Sequence, residues 1–390
     1  MKDQIAKYSA KLLSDRSACT GEIAFAAQDD VLISEGNPRL AKLAGDSLSR
    51  LNCLGLVAAR PSLPFAEFLV RRAPMSESRI VPNDTETRTF LHDIPFLRRA
   101  ELEDDPAPRI AQLLGNRKGI IIEGVGIVAS GAVTVEQAYI NYSSIFHSSF
   151  VKYLQDVLDR GFIFPEEAEA FADFRNQWLH PLTAEGLSFA EAPLTGGEAI
   201  LAEVERVGRY TVERGLVDSF FGNISAREGE LIYISQTAAS LDELAGCIDP
   251  VPMDNSSTTG ITASSELLAH RRIYEETGTA VILHGHPKFA VVMSMRCTEK
   301  GCGIKDCWKD CPKVRFLGDT PVVAGEIGAG GLAKRVPPVI GKPGKAIVYG
   351  HGVFTIGRDF GEAFRAMVQV ENWCREEYFR SVRMNSDLIS

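Results

Sequence analysis

Two histidines one residue apart, in the order His284-Gly285-His286-Pro287, are the residues best placed to do chemistry in this chain. They close the run Thr-Ala-Val-Ile-Leu-His-Gly-His-Pro, whose apolar, β-branched character and final proline predict a buried strand leading into a turn. Residues i and i+2 of a strand face the same way, so the pattern sets two imidazoles side by side. Two neutral imidazoles begin a zinc-type site, which needs a third protein ligand and, if catalytic, an open position. His351, in Tyr-Gly-His-Gly-Val-Phe after a short strand, offers a third; its alternative is a turn histidine with no ligand. Glu266 follows Ser264-Ser265 at a predicted helix start, where a carboxylate either carries protons or merely complements the helix dipole. A second cluster, Cys297, Cys302, Cys307 and Cys311, packs four thiols into Cys-x4-Cys-x4-Cys-x3-Cys. A second Zn²⁺ on four thiolates, an iron–sulfur cluster, disulfides and free thiols all stay open for it, because the spacing fits no standard signature.

The elements that must position these groups fall into two domains, which a length of 390 residues accommodates. Hydrophobic residues make up 45% and charged residues 24%, an ordinary globular mix. A net charge of −9 with no basic block gives nucleic-acid binding no electrostatic support. No apolar run reaches the length of a membrane span, and the N-terminus reads as a mixed-charge helix start, so a cytoplasmic protein is expected. Residues 1–60 look mostly helical, around 5–13 and 39–51, with a buried strand at 54–59. A helix over 65–72, a strand–turn–strand over 118–131 and a long helix beginning near Thr134 follow. The small, Pro- and Gly-containing stretch 181–197 reads as the interdomain linker, giving domains 1–185 and 190–390. In the second domain, a helix over 198–214 and two strands around a turn precede the amphipathic helix 264–277 and then the histidine strand.

The halves also contain an internal repeat. Leu91-His-Asp-Ile-Pro-Phe resembles Leu283-His-Gly-His-Pro-Lys-Phe, and the Lys118–Gly131 stretch resembles Lys345–Gly357, with Glu136 and Glu362 at one offset. On this pairing Ile94 replaces the partner of His286, and Val125 replaces that of His351. Only the C-terminal copy can then assemble three imidazoles.

Over residues 198–385 the chain resembles the class II aldolase/adducin family. The resemblance rests on Gly222-Asn-Ile-Ser-Ala-Arg227, Ile234-Ser-Gln-Thr-Ala238, Ala263-Ser-Ser-Glu266, His-Gly-His-Pro and Gly-His351-Gly, in that order. Ala238 stands where family members often have Gly, and the cysteine segment is an addition to the family pattern. The resemblance implies an α/β fold of two tandem α-β-α domains with largely antiparallel central sheets, the N-terminal one degenerate. It implies Zn²⁺ or another divalent transition metal on His284, His286 and His351, acting as a Lewis acid on an enediolate. Glu266 becomes the proton carrier. Gly222, Asn223, Thr237, Ser264 and Ser265 become phosphate-binding residues, with turn and capping duty as their alternative. His270 and Tyr274 are read as packing residues. The implied activity is a metal-dependent aldolase on a phosphorylated ketose or related hydroxy-ketone. An epimerase or dehydratase and a non-catalytic adducin-like module are the other readings. Family members assemble as rings of four domains, so a two-domain chain is expected to form a homodimer that mimics such a ring.

Overall fold

The computed structural model describes all residues except 180, 218–219, 300, 326–328 and 388–390. It divides into two units: Met1–Asn83 with Thr87–Leu179, and Asp84–Glu86 with His180–Ser390.

The first unit opens with α1 (Lys2–Ser14), β1 (Ala18–Gln28), β2 (Leu32–Gly36), α2 (Pro38–Leu48), β3 (Gly55–Pro61) and α3 (Phe65–Arg72). It continues through β4 (Arg79–Ile80), α4 (Thr85–Leu91, whose first two residues belong to the second unit), β5 (Ile94–Leu97), α5 (Ala107–Leu114), β6 (Gly119–Ile122) and β7 (Gly126–Gly131), and ends with α6 (Val135–Arg160) and α7 (Pro165–Asp173). Its sheet runs β2-β1-β3-β7-β6-β5-β4. All pairings are antiparallel except β5 with β6. Leu40, Ala44, Leu48, Ile110 and Leu114 of α2 and α5 pack on one face against Ala24, Leu56, Ile120 and Val128. Helix α6 starts where the Thr134 hydroxyl accepts from the Gln137 N–H, an ordinary N-cap.

The β1–β2 hairpin corrects the expectation of a mostly helical start. Ala24–Ala27 of β1 are fully buried between β2 and β3. A strand covered on both faces shows no period-2 alternation, and alanine favours helix, so local signals point the wrong way.

The second unit comprises α8 (Gly197–Glu213), β8 (Asn223–Glu228), β9 (Leu231–Ser235), β10 (Ile248–Pro252), α9 (Leu267–Thr277), β11 (Val281–Gly285) and α10 (Lys288–Met295). There follow α11 (Cys307–Asp310), β12 (Arg315–Leu317), β13 (Thr320–Val323), α12 (Ala329–Arg335), α13 (Pro337–Ile340), β14 (Lys345–Val348), β15 (Gly352–Gly357) and α14 (Phe360–Asp387). The sheet order is β10-β9-β8-β11-β15-β14-β13-β12, antiparallel except β13 with β14. One face is covered by Ala269 and Ile273 of α9 with Leu332, Val336 and Ile340 from the α12–α13 region. Helices α10 and α14 pack on each other and on the central strands.

Stretch 181–197 is not a free linker. The Leu182 backbone N–H and C=O both bond the Asn372 amide, at 3.1 and 2.8 Å. Ala190 and Gly196 N–H groups donate to the carboxylates of Glu203 and Glu228, and Phe189 packs on Tyr210 and Phe364. Weak periodicity marked irregular backbone correctly, but these side-chain acceptors, distant in sequence, secure it to the second unit.

Candidate active site

His284 occupies the central strand β11, opposite Asn223 of β8 and Phe354 of β15. Its ring stacks on Phe354 with centroids 4.0 Å apart. The strand ends at Gly285, so His286 sits just past it, where Pro287 leads into α10. His351 comes from the turn joining β14 to β15, where Gly350 takes φ +58, a conformation glycine adopts without strain. The three rings meet: centroids lie 4.8 to 5.0 Å apart, and their ligand nitrogens all fall within 4.8 Å of one another. All three are buried.

The outer nitrogens fit metal ligation. His284 Nδ1 donates to the Val353 carbonyl at 3.0 Å, which leaves Nε2 unprotonated and pointing at the His286 Nε2, 3.0 Å away. His351 Nδ1 lies 3.2 Å from a Glu86 carboxylate oxygen. Buried imidazoles aimed at one point, two of them with an acceptor behind, are what a divalent ion with nitrogen ligands requires.

Glu266 completes the cluster. It stands at the N-cap of α9 but makes no side-chain cap bond. Its carboxylate instead turns to His351 Nε2 at 3.0 Å and His284 Nε2 at 3.4 Å. It therefore makes no capping hydrogen bond to its own helix, and its contacts are with the imidazoles. Burial works against the Glu266 carboxylate, yet His284, His351 and Asn223 outweigh it and hold the group below the usual carboxylate range. Burial pushes His284 down to about 4. Burial also opposes charge on His351, but Glu266 and Glu86 on its two nitrogens outweigh that and raise it to about 10. A metal ion must therefore displace a proton at His351.

Behind Glu266 runs a buried chain of hydrogen bonds with one consistent direction. Burial lowers His270 to about 3, so its ring is neutral. Tyr274 Oη donates to Ser225 Oγ at 2.7 Å, and Ser225 donates to His270 Nδ1 at 2.7 Å. His270 Nε2 then donates to Asn223 Oδ1 at 2.5 Å, and the Asn223 amide donates to Glu266 at 2.9 Å. His270 and Tyr274, expected only to pack, thus hold the carboxylate's partner in place. Ser225, inside the quoted Gly-Asn-x-Ser-x-Arg motif, had a signal and no assignment. Glu86 had none, being distant in sequence and sitting in an unremarkable helix start.

The remaining expected residues surround this cluster unevenly. Gly222 takes φ +90, and a Cβ there would meet the His284 carbonyl oxygen at 2.6 Å, so it permits close backbone approach. Asn223, expected among the anion-binding groups, commits its amide to Glu266 and His270. Ser264 is buried and its Oγ accepts from the Glu266 N–H at 3.3 Å, whereas Ser265 is exposed. Thr237 is exposed, its N–H bonded to the Thr262 carbonyl. The cysteines lie in the segment after α10. A cavity of about 630 Å³ bounded by Arg296, Glu299, Lys313, Arg315, Phe316 and Trp373 adjoins that segment, and none of the three histidines lines it.

Residues 202–378, within the C-terminal half of this chain, match the family model of the Class II Aldolase and Adducin N-terminal domain. An L-fuculose phosphate aldolase of Methanococcus maripaludis is 27% identical over 168 residues, 42% of this chain and 88% of that protein. A Nocardia farcinica protein described as "Probable bifunctional methylthioribose-1-phosphate isomerase/methylthioribulose-1-phosphate dehydratase" is 23% identical over 192 residues. That match takes in 42% of this chain and spans only 32% of the relative's length. Among solved structures, L-fuculose-1-phosphate aldolase from Thermus thermophilus aligns with a TM-score of 0.39 and 22% identity, covering 47% of this chain and 95% of that one. A sugar-phosphate aldolase from Thermotoga maritima aligns with a TM-score of 0.37 and 18% identity, covering 48% and 96%. Among the described residues, no helix is long and apolar enough to cross a membrane.

Proposed function

We propose that the C-terminal domain is a zinc-type, metal-dependent aldolase that cleaves or forms a carbon–carbon bond in a phosphorylated ketose or related hydroxy-ketone. The observation that carries this reading is the Glu266 carboxylate, turned away from its own helix and held against two of three converging imidazoles. His284, His286 and His351 would hold the divalent ion, which supplies Lewis-acid stabilisation of negative charge developing on a substrate oxygen. Cleavage requires a proton to leave the hydroxyl of the departing carbon and another to reach the carbon left behind. Glu266 is ionised and buried, so it accepts the first at a carboxylate oxygen and can return it to carbon. Its position is fixed by Asn223, which is fixed in turn by His270. The N-terminal end of α9, with Ser264, Ser265 and nearby Thr237 and Gly222, would take the phosphate through hydroxyls and backbone N–H groups.

Dehydration is the second reading, favoured by the dehydratase named in the Nocardia relative. It would instead remove a proton from the carbon next to the carbonyl and expel the neighbouring hydroxyl as water, with no carbon–carbon bond broken. A single assay separates the two. Metal-loaded protein is given a panel of ketose phosphates; aldolase action releases an aldehyde that a coupled dehydrogenase reduces, whereas dehydration yields a dicarbonyl and no aldehyde. Neither product from any ketose phosphate, with metal bound, would leave the epimerase and the non-catalytic, adducin-like readings. We further propose a cytoplasmic homodimer in which four domains form a ring. Sedimentation of the full chain as a monomer would remove that part alone.

A further inference from the structure

The segment between α10 and β12 has no core of its own. Residues 297–314 hold four cysteines, several lysines and acids, and only Ile304, Trp308 and Val314 as large apolar residues. Segments this long and polar need a staple to hold a shape. Its two ends are clamped together: Arg315 donates from both terminal nitrogens, at 2.7 Å, to the carbonyls of Arg296 and Ser294. One step inward, Lys313 pairs with Glu299 at 2.8 Å. Within this closed loop the one-turn helix α11 begins at Cys307, and Cys311 follows its last residue directly. The Trp308 carbonyl between them is anchored by the Gly325 N–H at 2.8 Å. All four cysteines are unpaired by disulfides. Their thiols are within mutual electrostatic reach: Cys307 is pushed up by burial and then by Cys311, Cys302 and Cys297. The intervals of four, four and three residues each fall inside the two-to-four range of thiolate zinc pairs, and as a set they reproduce neither the bacterial nor the plant-type iron–sulfur run.

We propose that Cys297, Cys302, Cys307 and Cys311 form a second, structural metal site that binds Zn²⁺ through four thiolates. Among the described residues, only the histidines already lie within 4.8 Å of one another, so the loop contracts on binding as its thiols lose their protons. The ion neutralises four mutually repelling thiolates and replaces the missing core. Through the Arg315 clamp it also steadies the end of α10, whose Ser294 hydroxyl accepts from the Gly350 N–H beside His351. This proposal is independent of what the histidine site catalyses.

The test uses the full chain purified under reducing, anaerobic conditions. Elemental analysis should find two zinc ions per chain, one of which remains in His351→Ala. After exchange with Co²⁺, His351→Ala should keep intense thiolate-to-cobalt charge-transfer absorption, and the Cys302→Ser/Cys311→Ser variant should lack it. Because that variant could unfold, the wild-type chain supplies a second readout. Alkylation mapped by mass spectrometry should find these four cysteines protected until a chelator is added. Equal alkylation with and without chelator, at no more than one metal per chain, would overturn the site. Bound iron with broad visible absorption would overturn the assignment to zinc.

Discussion

The two sheets of this protein share one strand order and differ in what the central strands carry. Setting aside β10, strands β9-β8-β11-β15-β14-β13-β12 of the second unit follow the sequence of β2-β1-β3-β7-β6-β5-β4 in the first. In both, the sole parallel pair is in the corresponding place. Registers extend the match to single residues: Gly126 and Gly131 bound β7 as Gly352 and Gly357 bound β15. Counting from those pairs, Ala58 answers to His284, Arg60 to His286, Pro61 to Pro287 and Val125 to His351. The scaffold thus does not require the histidines. One sheet fills the same positions with small or aliphatic groups and an exposed arginine, and it packs as well.

The largest effect should come from erasing that difference. His351→Ala should remove most of the metal from the histidine site, and turnover should fall on the order of a thousandfold or more, since several kcal/mol of charge stabilisation go with the ion. Metal analysis and the aldehyde assay check both. Full occupancy of the histidine site in the variant would mean that His351 is a turn residue, as Val125 is. Glu266→Gln should come next. It keeps the imidazoles and the Asn223 contact but loses proton transfer, so metal stays bound while turnover drops roughly a hundred- to ten-thousandfold. Turnover within a fewfold of wild type would exclude Glu266 as the proton carrier.

How far all this was visible in the sequence follows from the kind of interaction concerned. The histidine strand, the Gly-His-Gly turn and Glu266 were visible as candidates because each lies in a short local pattern, although His351 and Glu266 each kept a second, structural reading. The repeat was half legible. Lys118–Gly131 against Lys345–Gly357 matches β6–β7 against β14–β15, and Val125 does replace His351. The other half is corrected by the topology: Leu91–Phe96 leads into β5, the counterpart of β13, whereas the counterpart of the histidine strand is β3. A shared Leu-His outweighed the real homologue because Leu56-Val-Ala-Ala-Arg-Pro61 retains only Pro61 and the apolar character. The relay from Tyr274 to Glu266 was hidden for another reason. It joins β8 to α9 across the fold, and hydrogen bonds between distant elements leave no spacing to read.

Paired glycine substitutions test the shared scaffold directly. A Cβ on Gly352 would strike the Gly285 carbonyl oxygen and come within 2.7 Å of His286 Cδ2 and 2.9 Å of His284 Cε1. A Cβ on Gly126 would strike the Ala59 carbonyl oxygen in the same way, with no imidazole near it. Both alanine variants should lose about 1–3 kcal/mol of stability through overpacking, and Gly126→Ala more, because its φ of +135 strains any L side chain. Only Gly352→Ala should also weaken metal binding, by roughly ten- to a hundredfold, a separation that chelator competition and chemical denaturation measure together. Equal metal affinity in the two variants would show that the β15 entrance does not shape the ligand geometry.

The smallest effect concerns a group with no counterpart in the first sheet. Val125 needs no polar neighbour, but His351 has the Glu86 carboxylate 3.2 Å from Nδ1. The same short segment is held in place by Thr85, whose N–H and hydroxyl both donate to the Gly350 carbonyl, at 2.6 and 2.9 Å. A carboxylate behind a ligating imidazole sets its tautomer and makes its other nitrogen a stronger donor to metal. Glu86 is partly exposed, which screens its charge. Glu86→Gln should therefore weaken metal binding by only about tenfold, the lower end of what such partners contribute, and leave the folded stability nearly unchanged. Glu86→Asp, which withdraws the carboxylate by one methylene, should fall between the two. Competition with a chromogenic chelator reads the series. Identical affinities across Glu, Asp and Gln would mean that His351 is oriented by its turn alone, and that the two sheets differ in their ligands and in nothing behind them.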